Sequence, residues 1–370
     1  MSLDITTPDG DLIKWLDKNS DTYVNKSTLI IGGSGSGKTT IIFELLNLIN
    51  CQVDNGIVIV SANSRKNYVG RFHDQCIWEN ITKEELNDIC ERQTNITECY
   101  NIANDPINLK ALVGRLPNRM VQVQLESVKR TAAKMIREIE MSAANDADKL
   151  LHITNIRELT IKREKDFCRS VIRENAQELS RIRLSPDERT TLKYLDLNNN
   201  FLFLCDDISP LFKTWMRYYK TCEKNPLESF FYDGRHAGVT FIAAIHDDTI
   251  IDAKLRKNAR NVIYGNPQVL ISSVEHKSSG YGKQERAFAE RVAPHLYRET
   301  AGVKNHRKLC YIREDPFPFR YTIAKTYPIK RFISDALWRL CDKLPQRESK
   351  AKNKYLSDQY EAQEIPLLRR

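Results

Sequence analysis

Long apolar runs are missing from this 370-residue sequence, and nothing in it approaches the length needed to cross a bilayer. Its nine cysteines are scattered, with no C-x-x-C pair and no accompanying histidine cluster. That argues against a zinc site and suits reduced thiols in a cytosol-like compartment. No secretory leader is expected ahead of the first apolar strand, and no internal repeat stands out. Nothing resembles an acceptor-substrate pocket, which counts against a small-molecule kinase. Acidic residues are in deficit, with 48 Asp and Glu against 57 Lys and Arg and a net charge of +9. An excess of this sign suits an acidic partner such as nucleic acid but does not identify one.

What is present begins with LIIGGSGSGKTT, Leu29 to Thr40. It holds the fixed positions of G-x-x-x-x-G-K-[ST] in Gly32, Gly37, Lys38 and Thr39. The apolar STLII precedes it and TTIIFELLNLIN follows with helical spacing, so strand, loop and helix succeed one another as a phosphate cradle requires. Backbone N–H groups along Gly32, Gly33, Ser34, Gly35, Ser36 and Gly37 can converge on phosphates, backed by the positive end of the helix. The expected ligands are ATP and Mg²⁺. Lys38 would reach the β and γ phosphates, the Thr39 hydroxyl would ligate the metal, and Thr40 would extend the contact to the α phosphate.

A magnesium ion beside this loop needs an acid at the end of another buried strand. NNFLFLCDD, Asn199 to Asp207, supplies it. Asp206 is the candidate metal ligand, and Asp207 is placed to orient or activate the attacking water. The alternative is an Asp pair capping the following helix. Asp207 is one carbon shorter than a Glu in the same role, so its carboxylate falls back by about 1.5 Å.

The rest of the chain frames these segments. Residues 1–26, polar and acidic apart from DLIKWL, read as a leader with a short helix. STLII and GIVIVSAN read as buried strands of a parallel sheet. The next clear strand is NNFLFLCDD, and the gap is too long for a βα connection. Its second half, from about Val121 to Leu184, is rich in charge. Apolar residues recur there at helical intervals (Val128, Ala132, Met135, Ile139, then Phe167, Val171, Leu179, Ile182), which predicts two or three long helices. A helical insertion over about 82–195 is therefore expected inside an ATPase domain of 27–342. It is either a solvated hairpin packed on itself or a lid, DNA-facing arm or subunit contact. After Asp207 the α/β pattern returns and closes on RKLCYIRED and FRYTIAKTY, read as a final hairpin. Residues 343–370 are charged, poor in large apolar groups, and read as a flexible tail.

The stretch FFYDGRHAGVTFIAAIHDDTIIDAKLRKNARNVIYGNP, Phe230 to Pro267, resembles the FtsK–HerA superfamily of ring-forming DNA-pumping ATPases. In that family a basic residue precedes a strand ending in a polar sensor, and a short helix with Arg and Asn leads to the next strand. The resemblance places Arg235 as an arginine finger lent to a neighbouring subunit and His246 at the sensor position; the alternatives are an Arg235 paired with Asp233 or a helix end, and a His246 satisfied within the core. Arg256 and Asn258 fall on the short helix. The compact core, the Asp-Asp strand end and the absence of membrane segments look most like the genome-packaging ATPases of nucleocytoplasmic large DNA viruses. The likeness covers about residues 27–63 and 199–267. It departs from the family where Asp207 replaces Glu and His246 replaces Gln. A neutral His can still donate one hydrogen bond, whereas a Gln amide both donates and accepts.

The resemblance implies an α/β P-loop NTPase of RecA/FtsK-like type. Its mostly parallel sheet would be flanked by helices, with a large helical insertion between the second strand and the Walker B strand. It further implies a homo-oligomeric ring that hydrolyses ATP and translocates double-stranded DNA without sequence preference, packaging a viral genome into a capsid. Capsid or membrane-associated virion proteins would be partners. The host cytoplasm, at the viral factory, and the virion would be its locations. Phosphate-gripping Lys and Arg are expected on channel loops. The candidates are ISSVEHKSSGYGKQER, Ile271 to Arg286, read as a mobile loop, and the basic positions of the insertion. Two other classes stay open. One is a helicase or recombination ATPase on single strands, for which Tyr281 is a lone stacking candidate. The other is a slow nucleotide-dependent switch or scaffold, which the Asp207 and His246 departures would suit.

Overall fold

The parallel sheet is built where the sequence is β-branched and apolar without interruption. In STLII every residue is buried, as a strand covered on both faces requires. The structure, a computed structural model, describes residues 4–16, 19–53, 55–117, 119–142, 145–220, 222, 225–232, 234–276, 280–298, 306–325 and 330–344, without the side chains at 119–122 and 235. The expected tail thus falls outside the described residues beyond Leu344. Contacts divide the chain into two compact units, Met1–Gln93 with Asn200–Arg370, and Thr94–Asn199.

The first unit carries a ten-stranded mixed sheet. Its strands are β1 (Ile5–Thr6), β2 (Leu12–Trp15), β3 (Ser27–Ile31), β4 (Asn55–Val60), β5 (Ile77–Trp78), β6 (Phe201–Asp206), β7 (Val239–Ile245), β8 (Asn261–Tyr264), β9 (Arg307–Ile312) and β10 (Phe319–Ile323). Their spatial order is β1-β2-β10-β9-β8-β3-β7-β6-β4-β5. From β8 to β5 every pairing is parallel, while β8 with β9, β9 with β10 and β1 with β2 are antiparallel.

Alternation along the strands sorts side chains into two cores. Leu29, Ile31, Phe203, Cys205, Phe241 and Ile245 go to one face. Ile30, Val58, Leu204 and Ile242 go to the other, against Ile41, Ile42, Leu45 and Ile49 of the helix Lys38–Ile49. Register then brings the strand ends level, with Asp206 opposite both Val60 and Ala244, and Ile31 opposite Ile245. Such a row of carboxyl-terminal strand ends is where open α/β sheets gather their ligands.

The N-terminal segment differs from expectation. Instead of a leader helix, residues 5–15 form β1 and β2, joined through a turn in which Gly10 takes φ 84°. Ile13 is buried between the exposed Leu12 and the half-buried Lys14, which is strand alternation. Pairing of Lys14 with Arg320 and Trp15 with Tyr321 fixes it to β10.

In the second unit the helices Arg119–Glu140 and Asp146–Glu174 pack together, and the helix Pro106–Gly114 packs on the latter. Leu109, Leu112, Cys168, Ile172 and Leu179 form its core. Met135 and Ile182, expected on the apolar face, are exposed.

Candidate nucleotide site at the strand ends

The glycine-rich loop leaves β3 and runs into the helix Lys38–Ile49, whose apolar residues anchor it to the sheet. Gly37 precedes the helix at φ 82°, a left-handed conformation open to glycine at little cost. Gly32 is required for another reason. A Cβ there would collide with the Ser36 side chain and come within 3.2 Å of Gly265 Cα, so the loop could not close against the end of β8.

Lys38 is folded back onto this loop. Its Nζ donates to the carbonyls of Gly32 at 2.7 Å and Gly33 at 3.1 Å, and lies 3.4 Å from Nδ1 of His246. Burial lowers the ammonium's pKa, and the nearby carboxylates of Asp206 and Asp207 oppose that shift.

Asp206 ends β6 and is 2% exposed. The buried hydroxyl of Tyr68 donates to its Oδ2 at 2.8 Å, and the Thr39 side chain is a second hydrogen-bond partner. Burial raises the carboxyl's pKa, with Tyr68 and Lys38 holding it down and Asp207 pushing it up. The two groups expected to meet a metal, Thr39 and Asp206, are thus in contact. They are hard oxygen donors of the sort magnesium accepts, one or two from protein and the rest from water and phosphate. Among the described residues there is no group of three or more His, Cys, Asp or Glu that could hold a metal by themselves.

Asp207 follows at φ 58°, unusual for a non-glycine residue though tolerated by Asp. Its carboxylate meets Nε2 of His246 at 2.8 Å and accepts from the Ser61 hydroxyl at 3.3 Å. The helix Ser209–Tyr219 begins at Ile208 without a side-chain cap, so the Asp pair does not serve as its cap. His246 stands just beyond β7, the strand lying between β3 and β6, and this position lets it reach both Lys38 and Asp207. An ammonium can only donate, so Nδ1 accepts from Lys38 and Nε2 carries the proton given to Asp207.

The remaining candidates divide. Gly35, Ser36, Gly37 and Thr40 line a cleft of about 930 Å³ together with Gly265, Asn266 and Lys308. The backbone of Arg235 belongs to the short helix Gly234–Ala237 ahead of β7, and its side chain lies outside the described residues. Arg256 forms a buried ion pair with Asp248 at 2.8 Å, and Asn258 caps its own helix by donating to the Lys254 carbonyl.

The expected DNA loop is largely helical. Ile271 to Glu275 lie in the helix Pro267–Glu275 and Lys283 to Arg286 in the helix Lys283–Leu296, while residues 277–279 are outside the described residues. Tyr281 is buried, hydrogen-bonded to the Tyr264 hydroxyl and edge-on to Tyr311 at 4.8 Å, so it belongs to the core. Tyr68, Ser61 and Lys308 were not foreseen. Only Ser61 had a local signal, as the first polar residue after a buried strand.

No protein-family model matches the chain. It is similar to the uncharacterized protein B354L of African swine fever virus. The version from isolate Pig/Kenya/KEN-50/1950 is 28% identical over 365 residues, covering 93% of this chain and 95% of the relative. That from isolate Tick/Malawi/Lil 20-1/1983 is 27% identical over the same shares. Among solved structures, the genome packaging NTPase B204 from Sulfolobus turreted icosahedral virus 2 in complex with ATP-gammaS overlaps 82% of this chain and 98% of its own, at 12% identity and a TM-score of 0.35. VirB4 of Thermoanaerobacter pseudethanolicus overlaps 87% and 96%, at 11% identity and a TM-score of 0.35. By its sheet order, its phosphate loop and the acids ending β6 the chain has a P-loop NTPase fold, and the relatives it matches along nearly its whole length are proteins of a nucleocytoplasmic large DNA virus.

Proposed function

We propose that this protein is a Mg²⁺-dependent ATPase that assembles into a homo-oligomeric ring and translocates double-stranded DNA, packaging a viral genome. The observation that carries the reading is the convergence of Lys38, Thr39, Asp206, Asp207 and His246 on adjacent strand ends. Each has a role that its contacts support. Lys38 exchanges the carbonyls of Gly32 and Gly33 for β- and γ-phosphate oxygens, and the loop's N–H groups hold the remaining charge. Thr39 and Asp206 would hold a magnesium ion, which when bound would supply neutralisation of the phosphate charge. Asp207 orients the attacking water. When Lys38 turns to the phosphates, Nδ1 of His246 loses its donor, so the ring responds to the nucleotide while its Nε2–H stays on Asp207.

Arg235 completes the site of a neighbouring subunit. An arginine finger is worth about 10³ to 10⁵ in rate, roughly 4 to 7 kcal/mol of barrier. The net charge of +9 suits gripping phosphates irrespective of sequence. Basic residues of the second unit are candidates for that contact. On this reading the protein acts in the host cytoplasm and the virion, with capsid or membrane-associated virion proteins as partners; its support is that the relatives are viral proteins.

ATP turnover with and without double-stranded DNA, alongside particle size by light scattering, tests the reading. Protein that stays monomeric with DNA and nucleotide, and whose turnover ignores DNA, overturns it. Nucleotide binding with negligible turnover would favour a switch. Mixing Lys38→Ala with Arg235→Ala subunits should restore part of the hydrolysis that each lacks alone, since each complements the other's defect across the interface.

A further inference from the structure

Lys308 is a buried cation that the roles above leave unused. Tyr264, the last residue of β8, pairs with Leu309, which puts Lys308 of β9 alongside Gly265 just past the strand end. Its Nζ donates to the Gly265 carbonyl at 2.9 Å, and its Cε lies 3.9 Å from the position a Cβ on Gly37 would occupy. The side chain therefore rests against the last glycine of the phosphate loop. Lys308 is 6% exposed, burial depresses the ammonium's pKa, and among the described residues no carboxylate pairs with it. A buried ammonium with one carbonyl partner is costly unless an anion completes its shell.

The cleft beside it points to which anion. Thr40 at the start of the loop's helix, Pro267 at the start of the helix Pro267–Glu275, His306, Lys308 and Lys325 line it, and among the described residues no acidic residue does. Its volume of about 930 Å³ can accept a nucleoside. Lys38 turns to the far end of the loop, towards His246 and Asp206.

We propose that Lys308 is a second phosphate-binding lysine supplied in cis, which contacts the α phosphate of a nucleotide on the loop while the nucleoside occupies the cleft beside it. This rests on the nucleotide site proposed above. Lys38 and Lys308 then divide the triphosphate, Lys38 taking its distal end and Lys308 its proximal end. Of the two lysines, a nucleoside monophosphate should depend on Lys308 and not on Lys38.

The division is tested by calorimetric titration of the full chain with ATP, ADP and AMP, comparing wild type with Lys308→Gln, Lys308→Met and Lys38→Ala. Gln keeps a donor for the Gly265 carbonyl and removes the charge. Lys308→Gln should weaken all three nucleotides by about tenfold, as loss of a charge-assisted contact predicts. Lys38→Ala should weaken ATP and ADP but leave AMP within about twofold. Unchanged affinities in a folded Lys308→Gln variant overturn the proposal and leave a strap between β9 and the end of β8. Failure of both Lys308 variants to fold has the same meaning, as does wild-type protein that binds ADP but not millimolar AMP. Wild-type protein that binds none of the three overturns the nucleotide site itself.

Discussion

Nε2 of His246 lies 2.8 Å from Oδ1 of Asp207, and the opposite nitrogen of the ring lies 3.4 Å from Nζ of Lys38. One imidazole thus links the phosphate-loop lysine to the carboxylate proposed to orient water. The link exists because β7 separates β3 from β6, so the residue leaving β7 faces both neighbours. It needs an acceptor on one side and a donor on the other, and an amide side chain can offer both.

A Gln at position 246 should therefore preserve much of the function. His246→Gln is expected to hydrolyse ATP within about tenfold of wild type, and His246→Ala to lose about 10²-fold in kcat, the scale of one positioned polar group. Nucleotide affinity should change little in either variant. Steady-state turnover paired with ADP titration separates the two quantities, and equal losses in both variants would remove the bridge from the mechanism.

Asp207 combines a chemical role with a backbone one. At φ 58° an Asp or Asn is tolerated, whereas a β-branched residue meets its own carbonyl, at a cost of about 1–2 kcal/mol. Asp207→Asn should stay as stable as wild type and lose hydrolysis. Asp207→Val should lose hydrolysis and also unfold at lower urea concentration. Equal denaturation midpoints for the two would show that the left-handed turn carries no cost.

The parts of the site that were legible in the sequence are those encoded locally. Gly32 to Thr40 declare themselves because strand, loop and helix are contiguous, and Asp206 and Asp207 because an apolar run ends in two acids. Tyr68 left no local signal, and Ser61 only that of a first polar residue after a buried strand. They meet the acids across 138 and 146 residues, and only the parallel pairing of β4 with β6 brings them there. DLIKWL was misread for a similar reason. So short a segment satisfies a helical or a strand period, and the choice was made by pairing with β10, some three hundred residues later. Tyr281 sits among Gly, Ser and Lys in sequence, yet Tyr264 and Tyr311 bury it. The family resemblance drew attention to Arg256, whose partner Asp248 in the same segment makes it structural.

That ion pair supports a stability prediction. Both side chains are at most 9% exposed, and burial raises the Asp248 pKa while Arg256 lowers it. Arg256→Ala would strand the carboxylate and should cost about 3–5 kcal/mol, whereas replacing both residues with apolar ones of similar volume should recover most of the loss. Chemical denaturation of the single and double variants measures it. A loss below about 1 kcal/mol for Arg256→Ala would mean that water reaches the pair.

Asp206 yields a prediction whose sign depends on pH. Burial raises its carboxyl above the ordinary 3.8, so in the folded protein the ionised form is penalised relative to the unfolded chain. The penalty is fully present above the folded pKa. It fades as pH falls through that value and is gone once pH is below 3.8, where both states are protonated. Asp206→Asn keeps an acceptor for the Tyr68 hydroxyl and removes the charge. The variant should therefore be more stable than wild type at pH 7, read as a higher Tm, with the gap closing as pH approaches 4. Magnesium with ADP should reverse the ranking, because a charged carboxylate holds the ion more tightly than a neutral amide oxygen and ligand binding stabilises the state that binds. Melting curves across pH, with and without Mg·ADP, read both effects. A variant less stable than wild type at pH 7 without nucleotide would show that the Tyr68 and Thr39 contacts outweigh the burial of the charge.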